Sequence, residues 1–65
     1  MVQTILRRDE VERVTGLPRS TIYAKIASGE FPKSIKLGAR SVGWLEADIA
    51  AWQRSRIEAR DGVAA

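Results

Sequence analysis

The stretch Asp9-Glu10-Val11-Glu12-Arg13-Val14-Thr15-Gly16-Leu17-Pro18-Arg19-Ser20-Thr21-Ile22-Tyr23-Ala24-Lys25-Ile26-Ala27-Ser28 decides how this chain folds. Val11 and Val14 are three apart and share one helical face. Asp9 and Glu10 fall in the first turn of that helix, where carboxylates suit the positive end of the helix dipole. Gly16 is a natural stop, because glycine enters the left-handed region at little cost. Pro18 restricts its own φ and disfavours helix at Leu17. A second helix is predicted from Arg19 to Ser28, with Ile22 and Ile26 at i, i+4 as its inward stripe and Gly29 as its end. Two short helices joined by Gly16-Leu17-Pro18, with Leu17 plugging the gap between them, read as a helix-turn-helix over residues 9–28.

On the C-terminal side, Glu30-Phe31-Pro32 is a loop whose Phe31 is expected to fold back on the core. Ser34-Ile35-Lys36-Leu37 alternates polar and apolar and reads as a strand. Gly38-Ala39-Arg40-Ser41 is a turn, and Val42-Gly43-Trp44-Leu45 is the returning strand. These make a basic hairpin, or wing, over about residues 33–45. Glu46-Ala47-Asp48 opens a last helix predicted over residues 46–60, with Ile49 and Trp52 on one face and Ile57 further along. Residues 61–65 are expected to fray. On the N-terminal side, Ile5-Leu6 is a brief strand or an extended arm. The predicted class is mainly α with a small β-hairpin, a single winged helix-turn-helix domain over residues 1–65.

Composition narrows the chemistry. The chain has 65 residues, no cysteine and no histidine. A domain this small buries about 60% of the surface its unfolded chain exposes, which leaves little room for a catalytic cleft beside the core. Without cysteine there are no disulfides or thiolate metal sites. Without histidine the commonest general base and metal ligand are missing. An enzyme is therefore not expected, and neither is a cofactor or a metal. Trp44 and Trp52 are expected in the core, where two indoles supply much of the apolar area of a small domain.

The net charge is +3, which favours an anionic partner. Its distribution says more. From Arg19 to Gly43 five cations face one carboxylate, Glu30, for a net +4, whereas residues 9–17 sum to −2. No run approaches the roughly 20 apolar residues of a membrane span, and residues 1–8 lack the apolar stretch of a signal peptide. No segment sets a basic face against a bulky apolar one, so a membrane surface is not an expected partner. The expected location is the cytoplasm.

Double-stranded DNA is the expected partner, and the candidate contacts follow from the helical wheel. With Ile22 and Ile26 inward, Ser20, Ala24 and Ala27 point outward, flanked by Thr21, Tyr23 and Ser28. That face is narrow enough for a major groove about 12 Å wide. Ser20 and Thr21 can bond base edges or phosphates, or instead cap the helix. Tyr23 offers a hydroxyl to a phosphate and a ring for stacking, or serves as a core aromatic. Ala24 can meet a thymine methyl. Arg19 and Lys25 are placed for phosphates, Arg19 at the helix N-terminus. In the hairpin, Lys33, Lys36 and Ser41 are further candidate contacts. Arg40 at the tip can enter a minor groove, clamp a phosphate or remain a solvated turn residue.

Leu6-Arg7-Arg8, Glu10-Val11, Thr15-Gly16-Leu17, Arg19-Ser20-Thr21-Ile22-Tyr23, Gly29, Phe31-Pro32, Leu37-Gly38 and Arg40-Ser41-Val42-Gly43-Trp44 together resemble the AlpA family of short phage and prophage regulators. The resemblance runs from about Ile5 to Arg60. It implies a MerR-like winged helix related to excisionases, and a sequence-specific, nucleoid-associated transcriptional regulator of phage or genomic-island type. It also implies a second reading, an excisionase-type architectural factor that bends DNA. A third, less favoured reading is a protein-interaction module using Arg54, Arg56 and Glu58. Further expected partners are a second copy on an adjacent half-site, an integrase and RNA polymerase. Two positions depart from the pattern: many members carry a long basic residue at Ala24 and a serine at Pro18. The first departure moves hydrogen bonding to bases away from the helix centre, toward Arg19, Tyr23 and the wing.

Overall fold

The computed structural model describes residues 2–64. Helix α1 spans Arg8–Thr15 and helix α2 spans Arg19–Ala27, so the helix-turn-helix forms where its local signals place it. Gly16 closes α1 at φ 74, with its N–H donating to the Glu12 carbonyl at 2.9 Å. Thr15 stitches the turn: its hydroxyl donates to the Val11 carbonyl at 2.6 Å and accepts from the Leu17 N–H at 3.3 Å. Leu17 packs against the core, as expected of a plug between two helices. At the other end of α2, Glu30 N–H donates to the Lys25 carbonyl and Gly29 N–H to the Ile26 carbonyl. With Gly29 at φ 81, this is the paired-bond helix end that glycine makes possible.

Strand β1 is Ile5–Leu6, β2 is Ile35–Lys36 and β3 is Val42–Leu45. They form an antiparallel sheet in the order β1-β3-β2, with Ile5 opposite Leu45 and Ile35 opposite Gly43. The hairpin turn closes through Leu37 and Gly38, whose N–H groups both donate to the Ser41 carbonyl. The apolar N-terminal segment is thus a strand, and the hairpin is two strands of a three-stranded sheet. Ile35 and Leu37, the apolar positions of the predicted first strand, are exposed because no element covers that side of β2.

Helix α3 spans Glu46–Ala64. This corrects the expected end near residue 60: the segment expected to fray continues the helix, and residue 65 lies outside the described residues. Gly62 keeps a negative φ, and a single glycine costs a helix only about 1 kcal/mol relative to alanine. Arg60 and Asp61 add an exposed ion pair at 2.9 Å.

The core takes one buried residue from each helix, the loop and the central strand: Val11 from α1, Ile22 from α2, Phe31 from the loop, Trp44 from β3 and Ile49 from α3. Leu6, Leu17, Ile26, Val42 and Trp52 pack around it, and no polar residue is buried among the described residues. Val14 does not join Val11 in the core. It lies 43% exposed because α3 meets that end of α1 through a polar contact, with Gln53 Nε2 donating to the Val14 carbonyl at 2.9 Å.

Gly43 sits in the central strand, where a Cβ would run into the Ile5 side chain and approach the Leu6 carbonyl and the Leu37 side chain at 3.1 Å each. The carbonyl belongs to a paired strand and cannot give way. Gly43→Ala should therefore lose about 1–3 kcal/mol, the cost typical of overpacking. Urea denaturation followed by circular dichroism measures it, and a loss below about 0.5 kcal/mol would show that β1 moves aside.

Candidate nucleic-acid interface

Helix α2 begins without a side-chain cap. Its N-cap residue is Pro18, which has no side-chain acceptor, and the first intrahelical bond runs from Ile22 N–H to the Pro18 carbonyl at 3.0 Å. The amides of Arg19, Ser20 and Thr21 precede that bond, so they stand free to meet an acceptor from outside. Ser20 and Thr21 make no cap bond, which leaves their hydroxyls available. The helix carries no acid, and Arg19 adds a full positive charge to the partial one at its N-terminus.

Ser20, Ala24 and Ala27 are exposed, as the wheel places them, and Thr21 and Lys25 are half-buried. Ser20, Thr21, Ala24, Lys25, Ser28 and Glu30 line one shallow depression along the outer face of α2. Tyr23 is 39% exposed, and so belongs to the surface rather than the core. Its ring is tilted against that of Trp44, with centroids 6.5 Å apart, and the Arg19 guanidinium carbon lies 5.8 Å from its centroid. The stack holds Arg19 alongside the helix and leaves the Tyr23 ring part of the surface.

The hairpin candidates do not join that depression. Lys33 lines a separate hollow with Phe31, Asp48 and Trp52. Lys36 is exposed on β2. The Ser41 side chain is half-buried, and its carbonyl closes the turn. Arg40 lines a cleft with Arg7, Arg8, Asp9 and Val42. The ten candidates therefore fall into separate groups around α2 and the hairpin.

What couples α2 to the hairpin is the loop between them. The Trp44 indole N–H donates to the Pro32 carbonyl at 3.0 Å, and the Trp52 indole N–H donates to the Glu30 carbonyl at 2.9 Å. Phe31 lies buried between these bonds, its ring edge-on to Trp52 with centroids 4.9 Å apart. The two tryptophans thus hold the loop from both sides and set the angle between helix and hairpin.

Sequence reasoning passed over three residues here. Glu30 ends the α2 depression, its carboxylate accepting from the Ser28 hydroxyl at 2.9 Å. Its signal was its position as the one acid in a basic stretch. Arg7 and Arg8 join Arg40 in the cleft, and their signal was a pair of cations at the positive end of a helix, where acids are favoured.

The family described as prophage CP4-57 regulatory protein (AlpA) matches residues 4–57. A protein of Enterobacteria phage P4, called uncharacterized protein ORF88, is 45% identical over 58 residues, which cover 89% of this chain and 66% of that protein. The chain thus spans just under two thirds of that relative. The DNA-binding transcriptional activator AlpA of Escherichia coli K12 is 41% identical over 58 residues, which cover 80% of this chain and 83% of that protein.

Proposed function

The chain belongs to the family of AlpA-type prophage regulatory proteins, and from that premise we propose that it is a sequence-specific DNA-binding transcriptional regulator of phage or genomic-island type. It acts in the cytoplasm on the bacterial nucleoid. Helix α2 enters the major groove, and the hairpin serves as a wing against the DNA beside it. The observation that carries this reading is the outer face of α2. It presents Ser20, Ala24 and Ala27, no carboxylate within the helix, an uncapped N-terminus and Arg19 braced on Tyr23. Short side chains admit the helix backbone deep into the groove. Free amides and a guanidinium at the N-terminus suit a phosphate, which fixes the register.

The test is in vitro selection of duplexes by the purified protein, followed by footprinting. A defined site should emerge. Ala24→Glu places a carboxylate at the centre of the face, on an exposed position where glutamate is a good helix former. It should fold normally and bind the selected duplex roughly thirtyfold more weakly, since a misplaced like charge costs a few kcal/mol. Arg19→Ala should weaken binding roughly tenfold, the lower range for a lost hydrogen bond to a charged group. An unenriched pool, or an Ala24→Glu variant that binds like the parent, would overturn the assignment of α2.

A further inference from the structure

We propose that the cleft between the N-terminus of α1 and the hairpin, lined by Arg7, Arg8 and Arg40, is a clamp for the phosphate backbone of duplex DNA, each guanidinium neutralising one phosphate. The proposal rests on the DNA-binding reading above and adds to it a second docking point, outside the α2 face.

Three observations carry it. The first is charge: the lining is Arg7, Arg8, Asp9, Arg40 and Val42, three cations and a single carboxylate. Among the described residues the ion pairs are Arg8–Glu12, Arg13–Glu10 and Arg60–Asp61, so neither Arg7 nor Arg40 is neutralised by a partner.

The second is a local rule broken. Arg7 is the N-cap of α1, a place that favours Asn, Asp, Ser or Thr because their oxygens accept from the first amides. A guanidinium has no acceptor, and its charge adds to the positive end of the helix dipole. Glu10 accepts from the Arg7 N–H at 3.3 Å. The first intrahelical bond runs from Val11 N–H to the Arg7 carbonyl at 2.9 Å, so the amides of Arg8, Asp9 and Glu10 precede it. Asp9 and Glu10 in the first turn offset this charge within the helix, yet a guanidinium at the N-cap remains a departure from local preference of the kind found at binding sites.

The third is tertiary. The hairpin turn, closed by the Leu37 and Gly38 bonds to the Ser41 carbonyl, delivers Arg40 to the same cleft from the far end of the sheet. The Arg8 Nε lies 3.4 Å from the Glu12 carboxylate, shielded from solvent and without a hydrogen-bond partner. Arginine clusters of this kind suit a tetrahedral oxyanion because each guanidinium offers paired donors. A phosphodiester is the anion that a DNA-binding protein meets at every step. Arg40 then contacts the backbone and not the floor of a minor groove.

The test is the salt dependence of duplex binding by the parent, Arg7→Gln, Arg8→Gln and Arg40→Gln proteins, measured by fluorescence anisotropy on several duplex sequences. Each substitution should reduce the steepness of log affinity against log salt by about 0.9, the value of one neutralised phosphate. The ranking of duplex sequences should not change. Thermal melts should show Arg7→Gln as stable as the parent or more so, which separates lost contact from lost fold. Slopes equal to the parent's for Arg7→Gln and Arg8→Gln would overturn the clamp while leaving the α2 reading intact. A change of sequence ranking confined to Arg40→Gln would place Arg40 in the minor groove and equally overturn it. A parent protein that binds no duplex at low salt would remove the DNA-binding reading, and the clamp with it.

Discussion

Trp44→Ala is expected to leave the protein largely unfolded at 25 °C. Trp44 is fully buried in the core and is its largest side chain, packed with Val11, Ile22, Phe31 and Ile49. Truncating a buried tryptophan costs about 3–5 kcal/mol. The lost indole also leaves the Pro32 carbonyl without its donor. At about 0.05–0.15 kcal/mol per residue, a chain of this length has roughly 3–10 kcal/mol of total stability. With about 1–3 kcal/mol more for the unpaired carbonyl, the one substitution removes an amount comparable to the whole. Circular dichroism against urea is the measurement, with Trp44→Phe as the companion. Phenylalanine restores most of the apolar volume but not the N–H, so it should fold with a reduced midpoint. A Trp44→Ala protein that melts cooperatively with less than 1 kcal/mol lost would mean that the core closes without this ring.

The second large effect is on binding and is read without any mutation. If Arg19, Lys25, Lys33, Lys36 and Arg40 each neutralise a phosphate, the log–log slope of affinity against salt is about −4.5. Between 50 and 200 mM salt, affinity should then fall about 500-fold. With Arg7 and Arg8 added the slope steepens to about −6.3, and the fall over the same range is about 6,000-fold. An anisotropy titration at four or five salt concentrations separates the two cases. A slope shallower than about −2 would contradict both, because it would leave most of these cations off the DNA.

The three effects act at separable places. Trp44 and Gly43 govern whether the fold exists, the α2 face governs which duplex is bound, and the exposed cations govern how tightly. Trp44 also links the first to the second. Its N–H holds the Pro32 carbonyl, and with Trp52 on Glu30 it fixes the loop from which α2 and the hairpin diverge. Trp52→Phe should therefore loosen the helix–hairpin angle with a milder effect on stability, since Trp52 is only half-buried.

The helix-turn-helix was legible because every signal for it is local. Gly16 and Pro18 act on their own backbone and its neighbours, and the 3.6-residue period of Ile22 and Ile26 is written within one helix. The outward placement of Ser20, Ala24 and Ala27 follows from the same period. Which apolar residues are covered is a different question, settled by segments far away in the chain. Val14 carries the same pattern as Val11, yet lies exposed because α3 presents Gln53 there. Pairing of the two-residue β1 with β3 left no periodic trace, since two residues cannot display a period. The end of α3 was misjudged because a lone glycine weakens a helix without ending it.

The meeting of Arg7, Arg8 and Arg40 was beyond the sequence for a related reason. Their separation along the chain has no local consequence, and only the sheet and the hairpin turn bring them to one cleft. The sequence by itself therefore determined the helix-turn-helix, the identity of most of the core and the small, polar outer face of α2, because short-range sterics and helical periodicity dictate these. Tertiary structure alone decided which cations share a surface and how α2 is angled to the hairpin. Both depend on long-range packing around Phe31, Trp44 and Trp52, whose contacts no sequence spacing encodes.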